Sequence, residues 1–329
     1  MVYEEMDKRE TVKLERQPLF LQPVFKERIW GGNRLKTEFG YDIPSDKTGE
    51  CWGISAHPHG PSVIKNGPLA GLTLMDAWRE HRDWFGDLNV DEFPLLTKIL
   101  DAEDDLSVQV HPDDFYARKV EKVPYGKSEC WYIIDCEEDA EIVFGHHADS
   151  KESFRAMVEE GAWDKLLRRV KVKPGDFFYV PSGTIHAIGR GIMILETQQS
   201  SDITYRVYDY GRKDANGNER ELHLDSAINV THFPDQNSPL HYEVVRESKG
   251  VVTTLVTEKY FTVHHWDVRG HITRAMDKPF MLASVIRGDG ELSVEGKTYP
   301  IRKGDHFIIP SGVWEVEIRG TCELIVSHP

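Results

Sequence analysis

The stretch Gly175-Asp176-Phe177-Phe178-Tyr179-Val180-Pro181-Ser182-Gly183 recurs as Gly304-Asp305-His306-Phe307-Ile308-Ile309-Pro310-Ser311-Gly312. Six of the nine positions are identical and two more are apolar in both copies. Each copy follows a basic lead-in, Lys171-Val172-Lys173 or Ile301-Arg302-Lys303. Glycine supplies turn dihedrals that other residues resist, and proline fixes the exit from the strand, so each copy reads as a strand between two tight turns. A repeat of this kind implies two related structural units. Outward from it, further strands are expected at Trp131 to Ile134, Ile192 to Leu195, Val251 to Val256, Phe280 to Ile286 and Phe307 to Ile309. Helical patterns are fewer. One has a capping-box spacing at Thr73-Leu74-Met75-Asp76, one begins at His111-Pro112-Asp113-Asp114 with proline in its first turn, and one spans about Ser150 to Arg169.

The G-D-x-x-x-x-P-x-G element resembles the second signature of the cupin superfamily. That resemblance implies a mainly β fold of tandem cupin (jelly-roll) barrels with a small set of inserted helices. The polar stretch 234–239 is the expected linker, which divides the chain into residues 1–236 and 237–329. The first unit is expected to hold a metal and the second, a packing or dimerisation module, to hold none. Three residues after the shared Pro-Ser-Gly, the first copy has His186 and the second Glu315. Gly288-Asp289-Gly290, upstream of the second copy, reads as a hairpin turn.

Composition bounds the function. The 329 residues carry 40 Lys and Arg against 55 Asp and Glu, a formal charge of −15. That balance argues against nucleic acid or an anionic membrane as partner, since both require a dense positive surface. With 40% hydrophobic and 29% charged residues the chain reads as an ordinary soluble globular protein. No apolar run is long enough to cross a bilayer, and the N-terminus lacks the apolar core of a secretory signal. Cys51, Cys130, Cys136 and Cys322 are scattered without CxxC spacing, which fits a reducing, cytoplasmic setting. A monomer or a homodimer is compatible with all of this.

The residue pattern that carries chemistry lies in the first unit. In Ser107-Val108-Gln109-Val110-His111, strand alternation puts Ser107, Gln109 and His111 on one face. Glu129 opens the apolar run Cys130 to Ile134, where a carboxylate costs desolvation unless a cation meets it. Gln109, His111, Glu129 and His186 form a mixed nitrogen and oxygen set suited to Zn²⁺ and, less selectively, to Mn²⁺, Fe²⁺, Co²⁺ or Ni²⁺. His57 and His59 around a proline turn, and the pairs His146-His147 and His264-His265, read as ordinary structural histidines. Trp30, Trp52 and Trp131 read as core.

Beyond the superfamily signature, Ser107-Val108-Gln109-Val110-His111-Pro112-Asp113, Gly126-Lys127-Ser128-Glu129-Cys130-Trp131, Pro181-Ser182-Gly183-Thr184-Ile185-His186-Ala187 and Ser201-Asp202-Ile203-Thr204-Tyr205-Arg206 closely resemble the type I mannose-6-phosphate isomerases, in their short bacterial form. Arg28-Ile29-Trp30-Gly31-Gly32 and Glu50 to Pro58 extend the match. The resemblance implies interconversion of D-mannose 6-phosphate and D-fructose 6-phosphate through an enediol at one zinc. It implies Gln109, His111, Glu129 and His186 as ligands and Arg206 and Lys127 as catalytic residues. It places Ser107, Lys127, Asp202 and Arg206 against the sugar phosphate. One departure stands out: longer family members have a histidine where this chain has Gly126. Lys127 is open to two roles, a proton carrier whose pKa a neighbouring zinc lowers or a point charge for phosphate, and Arg206 could serve the enediolate or the phosphate.

Two other readings compete with this one. Another metal-dependent cupin acting on a small anion, such as an iron oxygenase, would share two histidines and a carboxylate, yet Gln109, Lys127 and Arg206 favour a phosphosugar. A sugar-sensing module would bind without turnover. Since an anionic substrate would meet an acidic protein, local cations are expected to do what the global field does not.

Overall fold

The computed structural model describes residues 15–236 and 239–329. Of the expected linker, Asn237 and Ser238 lie outside the described residues. The first unit is a sandwich of two antiparallel sheets. A six-stranded sheet runs in the order Phe177–Val180, Glu129–Cys136, Ile192–Gln199, Leu95–Ala102, Val24–Gly32 and Thr48–Ile54. Facing it is a five-stranded sheet ordered Tyr205–Tyr208, Val108–Val110, His186–Ile188, Glu141–His146 and Leu167–Lys171. The fold is mainly β and of cupin type, with open sheets rather than closed rings of strands.

Alternation along the central strands explains why they are apolar on both faces. Trp131, Ile133, Ile192 and Ile194 point into the sandwich, whereas Cys130, Tyr132, Ile134, Met193 and Leu195 point out of it. The outward set packs against Leu255, Val263, Leu282, Ile308 and Ile325 of the C-terminal half. A strand buried on both faces reads as a continuous apolar run, and each large side chain so buried contributes about 1.5–3 kcal/mol. The outer face of the five-stranded sheet is covered by Phe154, Leu166, Ala227 and Ile228 from the helices.

The C-terminal half is a nine-stranded sheet around its own core of Val268, Leu292, Phe307, Val316 and Leu324. Its membership crosses the sequence halves: Leu19–Gln22 pairs with His306–Ile309, with Leu19 opposite Ile308 and Phe20 opposite Phe307. The repeat is conformational as well as sequential. Gly175 and Gly304 have φ of 91° and 93°, and Gly183 and Gly312 have φ of 84° and 87°. The shared aspartate has the same duty in both copies, Asp176 accepting from the Lys173 N–H and Asp305 from the Arg302 N–H, each at 2.9 Å.

Three local expectations are corrected. The helix expected from Ser150 to Arg169 spans Lys151–Glu159, stops at Gly161 with φ 66°, resumes over Trp163–Leu166 and gives way to the strand Leu167–Lys171. A left-handed glycine after a helix ends it. Gly288-Asp289-Gly290 lies within the long strand Met281–Val294, which begins one residue after Phe280, and the turn comes at Glu295 and Gly296. Pro112 precedes the cap of its helix: Asp113 is the cap, accepting from the Tyr116 N–H at 2.8 Å. The Thr73 cap is as expected, its hydroxyl accepting from the Asp76 N–H at 3.0 Å ahead of the helix Leu74–Glu80.

Where the repeat has Phe177 in one copy and His306 in the other, the difference serves the junction between halves. His306 is fully buried, with Ser284 Oγ at 2.8 Å and Tyr41 Oη at 2.9 Å from its two ring nitrogens, and burial pushes it down to about 3, so it stays neutral. Gly53 packs on this ring so closely that a Cβ there would lie 2.4 Å from it. Gly53→Ala is therefore expected to cost about 1–3 kcal/mol through overpacking, read as a lower midpoint in thermal or urea unfolding.

Candidate active site

Three strands bring His111, Glu129 and His186 together, all at most 1% exposed, with their ligating atoms within 4.8 Å of one another. His186 and Gln109 are register partners in the five-stranded sheet, and Arg206 lies opposite Gln109 on its other side. Glu129 arrives from the facing sheet. The Nδ1–H of His111 donates to the Ile203 carbonyl at 2.7 Å and that of His186 to the Thr184 carbonyl at 2.8 Å. Each anchor leaves an Nε2 lone pair turned inward, at 3.4 Å from one or other Glu129 carboxylate oxygen. His186 Nε2 is buried without any hydrogen-bond partner. Burial lowers both imidazoles, His111 to about 3 with the Lys127 charge adding to the effect. Neutral rings anchored through Nδ1 beside an ionised carboxylate are the donor set a divalent cation requires.

Through Glu129 this cluster borders a cavity of about 660 Å³ that is also lined by Ser107, Gln109, Lys127, Asp202 and Arg206. Six of the expected site residues line this cavity, and His111 and His186 meet one of them, Glu129. Across the six-stranded sheet, Trp131, Glu196, Lys98 and Trp52 are successive register partners, forming a row along the cavity wall. Lys98 Nζ lies 3.6 Å from Glu196 Oε1 and 4.9 Å from the Trp52 ring. Glu196 is 3% exposed, its Oε1 has no hydrogen-bond partner, and burial, reinforced by the Glu129 charge, pushes its carboxyl up to about 7. Glu50 is the opposite case. Burial would raise it, but Lys98 and Arg28 outweigh that and hold it down at about 2. Two buried carboxylates thus share one cavity with widely separated proton affinities, the arrangement that divides acid from base duties.

Lys127 is 6% exposed, with Nζ 2.8 Å from Glu129 Oε2 and 3.2 Å from His111 Nε2. Burial would lower its pKa, yet the Glu129 and Glu196 charges prevail and raise it to about 12. Arg206 makes no ion pair with Asp202 or Asp209. Its Nε is buried without a partner and one terminal nitrogen donates to the Glu221 carbonyl at 2.8 Å. Asp209 is taken by Arg212 and Arg220, each within 2.6 Å. Asp202 instead meets His59 Nδ1 at 2.6 Å and His57 Nε2 at 3.6 Å, at the cavity rim. The His57 Nδ1 accepts from the His59 N–H at 3.2 Å, so its proton sits on Nε2 and faces Asp202. The trio is a hydrogen-bonded clasp rather than an open ligand set.

Sequence reasoning missed Glu50, Lys98 and Glu196, and read Trp52 and Trp131 as core alone although both also line the cavity. The available signal was a charged residue inside an apolar strand: Lys98 in Leu95–Ala102 and Glu196 in Ile192–Gln199. The departure at Gly126 has a steric cause, since a Cβ there would lie 2.4 Å from the Pro112 carbonyl oxygen.

The family model for the catalytic domain of type I phosphomannose isomerase matches residues 19–148, and that for the mannose-6-phosphate isomerase cupin domain matches residues 251–329. The chain is 55% identical over 314 residues to mannose-6-phosphate isomerase ManA of Bacillus subtilis, covering 95% of this chain and 99% of that protein. It is 52% identical over 315 residues to mannose-6-phosphate isomerase of Streptococcus mutans, covering 95% and 98%. A crystal structure of the mannose 6-phosphate isomerase from Bacillus subtilis superposes with a TM-score of 0.94 at 53% identity, covering 96% of this chain and 100% of that one.

Proposed function

We propose that this chain, which belongs to the type I phosphomannose isomerase family, interconverts D-mannose 6-phosphate and D-fructose 6-phosphate through an enediol in the 660 Å³ cavity, with one zinc ion held by Gln109, His111, Glu129 and His186. The observation that carries the reading is the pair of imidazoles anchored through Nδ1 whose Nε2 atoms each lie 3.4 Å from an oxygen of the buried Glu129 carboxylate, that of His186 with no hydrogen-bond partner of its own. When bound there, zinc would supply a Lewis acid that polarises the sugar oxygens without redox chemistry. The residues around it do the rest.

Moving a proton between C1 and C2 needs a group that is ionised often enough to accept it and basic enough to hold it. We assign that duty to Glu196, which burial raises into the useful range and which lines the cavity with an oxygen that has no hydrogen-bond partner. Glu50, held ionised, binds Arg28 and accepts from the Trp52 indole N–H instead. Of the two roles open to Lys127, its 2.8 Å ion pair with Glu129 favours the point charge, a cation held in the cavity to meet the anionic sugar phosphate. Arg206 adds a second permanent cation, and Ser107 and Asp202 complete the polar contacts to the sugar phosphate. These local charges offset the repulsion expected between an anionic substrate and a protein of net charge −15.

The remaining assignments belong to the same proposal. In sequence the chain divides at 236/237 into a metal-binding catalytic unit and a second unit without a metal site, the first lending the strand Leu19–Gln22 to the sheet of the second. The free cysteines fit the cytoplasm as its setting, and the protein acts as a monomer or homodimer.

The direct test is turnover of mannose 6-phosphate by purified protein. A preference for glucose 6-phosphate would overturn the substrate, and binding without turnover would favour a sensor. Arg206→Ala is expected to lower kcat about 10²–10³-fold, the loss typical of removing one oxyanion-stabilising donor. A raised KM at unchanged kcat would instead assign Arg206 to ground-state phosphate binding.

A further inference from the structure

We propose that Asp114 and Gln199 are positioning residues that hold Lys127 in the cavity through the backbone on either side of it. The inference rests on the isomerase reading for the duty of Lys127 and on geometry alone for the mechanism of its placement.

Residues 126–128 cross an irregular stretch between a short helical segment and the strand Glu129–Cys136. Three successive backbone N–H groups there need partners away from any ladder. The Lys127 N–H donates to the Pro112 carbonyl at 3.0 Å. The other two go to side chains: Gly126 N–H to Asp114 Oδ1 and Ser128 N–H to Gln199 Oε1, each at 2.9 Å. These two acceptors are joined, because Gln199 Nε2 donates to the same Asp114 Oδ1 at 2.9 Å. The Gln199 amide is thereby oriented by both ends, its oxygen on an N–H donor and its nitrogen on a carboxylate.

The bridge spans the segments that build the site. Asp114 opens the helix just after His111, Gln199 ends the strand that carries Glu196, and 126–128 leads into Glu129. Gly126 has no room for a side chain, so the loop lies directly against Pro112 and Asp113 and depends on these bonds for its path. Gln199 is 2% exposed, and breaking the bridge would leave buried donors without partners. A displacement of the loop would move the Lys127 ammonium away from Glu129 and the cavity. Supporting contacts of this kind typically cost 10–100-fold when lost.

The test is Gln199→Glu, which keeps the acceptor for Ser128 but sets one carboxylate against another, compared with the double variant Gln199→Glu/Asp114→Asn, which restores the bond between the two side chains but gives up the acceptor for the Gly126 N–H. Two readouts are taken: kcat and KM with mannose 6-phosphate, and amide hydrogen exchange of the peptide covering 126–128. The single variant is expected to lose about 10–100-fold in kcat, with faster exchange at 126–128, and the double variant to recover part of both. If Gln199→Glu does not fold, Asp114→Ala at the more exposed end carries the same expectation against Asp114→Asn. The proposal is overturned if kcat stays within about twofold of the parent, if it falls without faster exchange at 126–128, or if the paired variant recovers neither. Absence of turnover in the parent protein would sink the isomerase reading, while the exchange arm would still decide the placement.

Discussion

Glu196→Gln is expected to lower kcat about 10²–10⁴-fold, the span associated with a positioned general acid or base, while leaving the fold and the bound-metal stoichiometry intact. Glutamine keeps the volume of the buried side chain and its place between Trp131 and Lys98, so packing loss does not account for such a drop. The pH dependence supplies an independent check. Glu196 accepts a proton only when ionised, and burial raises its carboxyl from the ordinary value near 4.5 toward about 7. Activity is therefore expected to fall as pH drops through that interval, and this acid limb is expected to vanish in Glu196→Gln. A parent-like rate in the variant would return the proton-carrying duty to another group, with Lys127 the first alternative.

Stability should move in the opposite direction. A carboxyl raised in the folded state binds its proton more tightly there than in the unfolded chain, so its favourable contribution is present at low pH and is lost as pH rises from about 4.5 to about 7. Above that interval the native state bears the cost of a buried anion beside Glu129. Glu196→Gln is therefore expected to raise the unfolding midpoint at pH 8 relative to the parent and to do so less at pH 5. A group that costs stability where it is ionised and is retained on a cavity wall is the pattern expected of function rather than packing.

The second large effect is removal of the metal. Exhaustive chelation, or His186→Ala, is expected to lower kcat/KM by at least about 10³-fold, because the polarisation of a carbonyl by a bound cation is worth several kcal/mol. Metal analysis should show loss of zinc in step with activity, and re-addition should restore the chelated parent but not His186→Ala at equal free metal. Activity that survives complete metal removal would sink the zinc mechanism. His186 is chosen because its Nε2 lacks any protein partner and its Nδ1 is already anchored, so alanine removes a ligand from a preformed position. His111→Ala would also strip a neighbour from Lys127 and confound the reading.

Among the proposed metal ligands, Gln109 and His111 were legible from strand alternation, Glu129 as a carboxylate opening an apolar run, and His186 from its place three residues after the repeat. Lys127, Ser107, Asp202 and Arg206 were legible through resemblance. Glu50, Lys98 and Glu196 were not, because a charge in an apolar strand has no meaning until its cross-strand neighbours are known. The row from Trp131 to Trp52 is drawn from four strands that meet only when the sheet is assembled. His57 and His59 were assigned to structure from their turn, yet the fold brings a carboxylate from residue 202 to them.

By itself the amino-acid sequence determined the repeated strand-turn unit, the mainly β class and the donor types of the proposed metal cluster, since turn chemistry, alternation and donor type are local properties. The tertiary structure decided the rest. It alone placed Leu19–Gln22 in the C-terminal sheet, made the central strands buried on both faces, and raised Glu196 while depressing Glu50. Proton affinity depends on burial and on which charges lie within a few ångströms, and those are set by strand register between distant segments rather than by neighbours along the chain.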